Sequence, residues 1–200
     1  MTVARITEVS LPLPDKQEIL RYMGCKSSDA EIDALIEKSL ALCEGKISSK
    51  VVFSELDIKR VGSRLDLGFA LTDSCTLSKA LDGCDGIILF AATVGIDIDR
   101  LMLKYGKVSP SLALSIQATG AERIEAVCDS FCKEIKEKYA PSGYAITPRV
   151  SPGYGDIPLS LQREIFRALS PEKNIGLTLN DSLLMSPTKS VTAIAGIKRI

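Results

Sequence analysis

The chain predicts an α+β fold, a mostly antiparallel twisted sheet packed with several helices. Two observations point there. The strand-like and helix-like stretches come in runs, without the regular βαβ alternation that builds a parallel sheet. The one glycine-bearing junction between a strand and a helix, A-A-T-V-G-I-D from Ala91 to Asp97, also lacks the G-x-G-x-x-G spacing that cradles a pyrophosphate, and no G-x-x-x-x-G-K-[ST] loop occurs. A single domain is expected over the 200 residues, with 1–45 an N-terminal arm and helices packed on a body formed by 46–200.

Each element has its own signal. Val3 to Leu13 alternates weakly and ends in L-P-L-P, which suits an extended arm, and Asp15 opens a short helix closed by Gly24. Ser28 followed by Glu31 reads as a capping box for a second helix, with Ile32, Leu35, Ile36 and Leu40 on its apolar face and Gly45 as its stop. Val51 to Ile58 and Arg64 to Leu71 read as strands joined by a hairpin through Gly62, the second with Leu65, Leu67, Phe69 and Leu71 on one side. Ser74 caps a helix to about Leu81, Gly86 to Ala92 is a buried strand, and Ile96 to Tyr105 returns as a helix.

Ser109 with Pro110 just inside starts the longest helix, running to about Tyr139. Its first half carries Ala113, Ser115, Ala118, Gly120 and Ala121, small enough for another element or a ligand to approach the backbone. Tyr144 to Pro158 is a long irregular segment of the kind that often carries function. A helix from Pro158 to Leu169 follows, with Leu161, Ile165 and Phe166 inward, and Gly176 to Leu179 and Ser190 to Ile197 read as strands.

Composition removes whole classes of chemistry. With 25 basic and 25 acidic residues the formal charge is zero, so nothing draws the molecule to nucleic acid or an anionic membrane. The longest apolar run, Gly86 to Ile96, is about eleven residues, where a membrane-crossing helix needs roughly twenty. Without a recognisable leader, a soluble cytoplasmic protein is expected. The chain has no histidine, which excludes Ser-His-Asp and Cys-His catalysis, His-ligated metals, and a histidine ligand to cobalt from this polypeptide. Its six cysteines form no C-x-x-C pair and read as free thiols; Cys128 and Cys132 share a helix face with Ile124, Val127, Phe131 and Ile135, which places them in the core.

Chemistry concentrates in R-V-S-P-G-Y-G, Arg149 to Gly155, followed some thirty residues later by M-S-P-T-K-S-V-T, Met185 to Thr192. Pro152 presets its φ and Gly153 tolerates φ > 0, so Ser151 to Tyr154 has the composition of a type II turn that throws Tyr154 outward. Gly155 is read as leaving the main chain open to a ligand, and the Arg149 guanidinium suits a carboxylate gripped in two places. A small zwitterion fits that set. The plain alternatives are a surface salt bridge for Arg149 and a tyrosine capping the core for Tyr154.

These residues, with Gln162, I-G-L-T-L (Ile175 to Leu179) and M-S-P-T-K-S-V-T-A-I-A-G, resemble the activation domain of cobalamin-dependent methionine synthase, particularly its stand-alone bacterial relatives, from about Gly120 to Gly196. The resemblance implies a module that binds S-adenosylmethionine and packs against a cobalamin-bearing partner, so that an oxidised cobalt centre is reduced and remethylated. It implies a role for Arg149 on the methionyl carboxylate, for Glu125 facing the ammonium, the sulfonium or the ribose, with Glu122 the competing carboxylate, and for Tyr154 against adenosine. Pro152 shapes the loop, Gly153 and Gly155 supply close backbone, and Lys189 is either a partner-docking residue or a solvated lysine. The family's N-terminal aspartate has no confident counterpart, Asp15 being the possible one. Its C-terminal aromatic segment has no match before Ile200, which implies a shallower pocket.

No catalytic residue and no metal site is assigned to this chain. Cobalamin comes only through the partner, a methionine synthase lacking its own activation domain, with flavodoxin or ferredoxin as electron donor. The other reading is a non-catalytic subunit that senses S-adenosylmethionine, or a regulatory or structural subunit of a corrinoid complex.

Overall fold

The computed structural model describes residues 3–200. In chain order the elements are β1 (Arg5–Glu8), α1 (Lys16–Tyr22), α2 (Ala30–Cys43), β2 (Lys50–Asp57), β3 (Lys59–Val61), β4 (Arg64–Asp66), β5 (Leu71–Thr72), α3 (Cys75–Ala80) and β6 (Cys84–Thr93). They continue with α4 (Asp97–Gly106), α5 (Pro110–Tyr139), β7 (Tyr144–Ile146), α6 (Leu161–Leu169), α7 (Pro171–Ile175), β8 (Thr178–Leu179), β9 (Met185–Ser186) and β10 (Ser190–Arg199). The main sheet has five strands in the order β1-β2-β6-β10-β7, each neighbouring pair antiparallel. The α+β class is as the sequence predicts.

Both faces of this sheet are covered, which explains why β6 reads G-I-I-L-F-A-A-T with almost no polar residue. On one face Val51, Phe53, Ile88, Phe90, Ala92, Ala193 and Ala195 pack against Ile98 of α4 and Ile116, Val127 and Phe131 of α5. Phe131 lies between Phe53 and Phe90 at centroid distances of 5.2 and 5.0 Å, tilted to both rings. On the other face Val52, Ile87, Leu89, Ala91 and Ile194 meet Leu77 of α3, Leu161, Ile165 and Leu169 of α6, and Ile175 of α7. The period-two alternation along each strand therefore feeds two separate core layers.

The small residues of α5 serve α2 and α4. Ser39, Ser115 and Thr119 form a buried hydroxyl cluster at 2.8–3.0 Å between α2 and α5. At Gly120 a methyl group would stand 2.7 Å from Ile98 and 3.0 Å from the Lys189 stem, so the predicted close approach is made by the chain itself.

Three local expectations are corrected. Asp29, not Ser28, caps α2, because its carboxylate accepts from Glu31 N and Ile32 N. The stretch Arg64–Leu71 is two short strands, since Leu67 N donates to Ala70 O and closes a turn at Gly68; Leu65 and Leu67 are buried but Leu71 is 50% exposed. The helix expected from Pro158 begins at Leu161, after turns closed on the Pro158, Leu159 and Ser160 carbonyls. The N-terminal arm adds β1 to the edge of the main sheet, antiparallel to β2. No helix of the described residues is long and apolar enough to cross a membrane.

Candidate functional site

Arg149 is positioned by the sheet. Thr147 N donates to Gly196 O at 2.9 Å and its hydroxyl accepts from Gly196 N at 2.8 Å, while Val150 and Ile194 exchange both backbone bonds at 2.9 Å. Between those anchors the Arg149 side chain turns onto α5. There Nη2 donates to Glu125 Oε2 at 2.7 Å and to Asp129 Oδ1 at 2.8 Å, with the guanidinium side chain 22% exposed. Burial works against its charge, but Cys128, Glu125 and Asp129 more than offset that, so its pKa is raised. Burial in turn pushes the Cys128 thiol up to about 12, beneath the same guanidinium.

Glu125 and Asp129, four apart on one helix face, form a wall of a cleft of about 390 Å³ between α5, α1 and the N-terminal arm. Asp15, Glu18, Tyr22 and Glu122 also line it. Three of those carboxylates already have local work. Asp15 caps α1 by accepting from Gln17 N and Glu18 N. Glu18 pairs with Arg21 at 2.6 Å. Glu122 is buried, bonded twice to the buried Arg123, and also accepts from Asp15 N at 3.2 Å. Of the two competing glutamates, Glu122 is thus locked into the fold and not solvated, while Glu125, 42% exposed, remains at the cleft surface.

The turn after Arg149 forms as predicted. Tyr154 N donates to Ser151 O at 3.1 Å, and Gly153 sits at φ +89°, which a side-chain-bearing residue rarely adopts. Pro152 is buried, and Tyr154 stands 67% exposed, so it does not cap the core.

Gly155 is explained differently from the sequence reading. A Cβ there would lie 2.5 Å from Thr76 Oγ1, and φ is +58°, so the glycine is required by contact with the start of α3. The next residue completes that clamp: the Asp156 carboxylate accepts from Ser74 Oγ at 2.5 Å, Cys75 N at 2.7 Å and Thr76 N at 3.0 Å. These bonds hold its pKa well below the usual carboxylate range, the Ser74 hydroxyl contributing most.

Lys189 lies outside this cleft. Its stem covers Gly120, and burial lowers its pKa while Asp99 opposes the shift.

Sequence reasoning missed Asp129, although its spacing from Glu125 offered a signal. It also missed Tyr22 and Asp156, for which no local pattern exists because their partners lie far away in the chain.

No protein-family model matches the chain, and no curated protein matches it. Among solved structures, the reactivation domain of MetH, crystallised bound to AdoHcy, aligns over 97% of this chain and 78% of that one with a TM-score of 0.72. The two share one fold. At 16% identity the likeness extends to the architecture, the curled antiparallel sheet with its helices, and leaves the site to be argued from this chain's own residues. What these residues offer is a cation paired to the wall of an acidic cleft; the turn that carries the exposed Tyr154 does not line that cleft and is fastened instead to the start of α3.

Proposed function

We propose that this chain binds S-adenosylmethionine at the Arg149–Glu125 edge of the acidic cleft and serves as a stand-alone reactivation subunit for a cobalamin-dependent methionine synthase that lacks its own activation domain. The observation that carries the reading is the Arg149 pairing with Glu125 and Asp129, in a fold shared with a domain crystallised with AdoHcy. That cluster of one cation and two carboxylates is opposite in sign, group for group, to the one carboxylate and two cationic centres of the ligand. Arg149 would take the methionyl carboxylate, and the released Glu125 and Asp129 would face the ammonium and the sulfonium.

The exchange costs little. Ion pairs with partners as exposed as 42% and 74% hold by about 0–1 kcal/mol, so little is lost when a carboxylate displaces them. Tyr154 lies outside the lining of the cleft and would offer its exposed ring to an adenosine that extends beyond it, on a turn braced by Gly155 and Asp156 against α3. Bound S-adenosylmethionine supplies an already activated methyl group. This chain contributes binding and orientation, with no proton to move. Cobalamin would be carried by the partner, with flavodoxin or ferredoxin as electron donor, and Lys189 is assigned to partner docking.

The test is methylcobalamin formation on a truncated synthase supplied with a low-potential reductant and limiting S-adenosylmethionine. Addition of this chain restores methylation under the proposal, and Arg149→Ala restores little. Tight binding of S-adenosylmethionine with no effect on cobalt methylation would replace reactivation by a sensing role.

A further inference from the structure

A second cavity, of about 510 Å³, shares no lining residue with the acidic cleft. Leu11 and Pro14 of the arm, Leu40, Ala41 and Cys43 of α2, and Ile47 give it a largely apolar wall. Its size falls within the range typical of small-molecule sites.

Arg123, 3% exposed, forms part of that wall. Of its five N–H groups, Nε and one on Nη2 bond Glu122, the other on Nη2 reaches Leu13 O at 3.4 Å, and one on Nη1 donates to Pro12 O at 2.7 Å. The remaining N–H of Nη1 has no partner among the described residues. That N–H is free to donate to an acceptor carried by a ligand in the cavity.

Charge narrows the class further. Glu122 already neutralises Arg123, Lys16 pairs with Glu37, and Glu44 lines the same cavity, so the wall carries no spare positive charge to hold an anion. We infer that this cavity is a binding site for a small neutral molecule with an apolar body and one hydrogen-bond acceptor, which the Arg123 Nη1–H engages. It is separate from the acidic cleft and does not depend on the S-adenosylmethionine reading.

Benzamide is a suitable probe, with benzoate as its charged isostere and toluene as the counterpart lacking an acceptor. In a nitrogen-15 amide titration of the full chain, benzamide shifts Leu40, Ile47 and Thr119 saturably. Benzoate and toluene bind at least tenfold more weakly. Ala41 is an exposed position on α2, so Ala41→Phe fills the cavity from the helix surface without disturbing the core; it abolishes the benzamide shifts and leaves S-adenosylmethionine titration unchanged. Ala41→Leu, a smaller plug, gives an intermediate loss. Shifts that are scattered over the surface, benzoate binding as well as benzamide, or benzamide binding undiminished in the properly folded Ala41→Phe protein would each overturn the assignment.

Discussion

Arg149 is tied to two carboxylates on α5, and its guanidinium still reaches solvent. Removing it costs the fold little, because the two carboxylates it leaves are 42% and 74% exposed and are solvated without it, so Arg149→Ala should change the urea midpoint only slightly. Gly155 behaves in the opposite way. Gly155→Ala drives a methyl toward Thr76 Oγ1 and holds alanine at φ +58°, which should lower stability by about 1–3 kcal/mol in urea unfolding. Thr76→Ala in the same chain relieves the clash but not the backbone strain, so the double variant recovers only part of the loss. Thiol chemistry separates the cysteines by environment: Cys75 is exposed, whereas burial holds Cys43 at about 11 and Cys128 at about 12. Mass spectrometry after brief iodoacetamide treatment at pH 8 should find Cys75 labelled, with Cys43 and Cys128 modified only after unfolding.

At the level of elements, the segment Ser151–Ile157 is a rigid bracket because Asp156 closes the start of α3. Its folded pKa is depressed, so its contribution to stability is fully present above the unfolded value near 3.9 and is lost as pH falls below it. Asp156→Asn should therefore be less stable than wild type at pH 7, and the gap in urea midpoint should narrow without closing toward pH 3, where the folded carboxylate is still ionised. An unchanging gap would mean that the carboxylate charge is not what holds the bracket. The elements themselves were largely legible. α5 was marked by Ser109-Pro110 at one end and Pro141 at the other, and β6 by its unbroken apolar run. What escaped was the tight local turn at Gly68, closed by Leu67 N on Ala70 O, and the capping of α3 by a residue about eighty positions away. The site was legible to the same extent. Arg149 and Glu125 carried recognisable chemistry, while their direct pairing depends on β10 delivering residue 149 to α5, which no local pattern encodes.

Over the whole molecule, one sheet buried on both faces supports everything else, and Phe131 locks α5 against it. Phe131→Ala should cost about 3–5 kcal/mol, a large share of the 5–15 kcal/mol that stabilises a typical domain, and would loosen the helix that carries Glu125 and Asp129. Its signature is a lower urea midpoint together with weaker ligand binding, unlike Arg149→Ala, which changes binding alone. The fold thus presents a pre-paired cation and two carboxylates on a braced surface, and the central claim is that a zwitterionic sulfonium compound exchanges into that pairing. Isothermal calorimetry of S-adenosylmethionine against wild type and Arg149→Ala tests it most directly. The account predicts saturable binding to the wild type and a Kd about 10- to 100-fold weaker in the variant, the loss of a charged hydrogen-bonding partner. Equal affinity in the two proteins, or no heat of binding to the wild type, would contradict it.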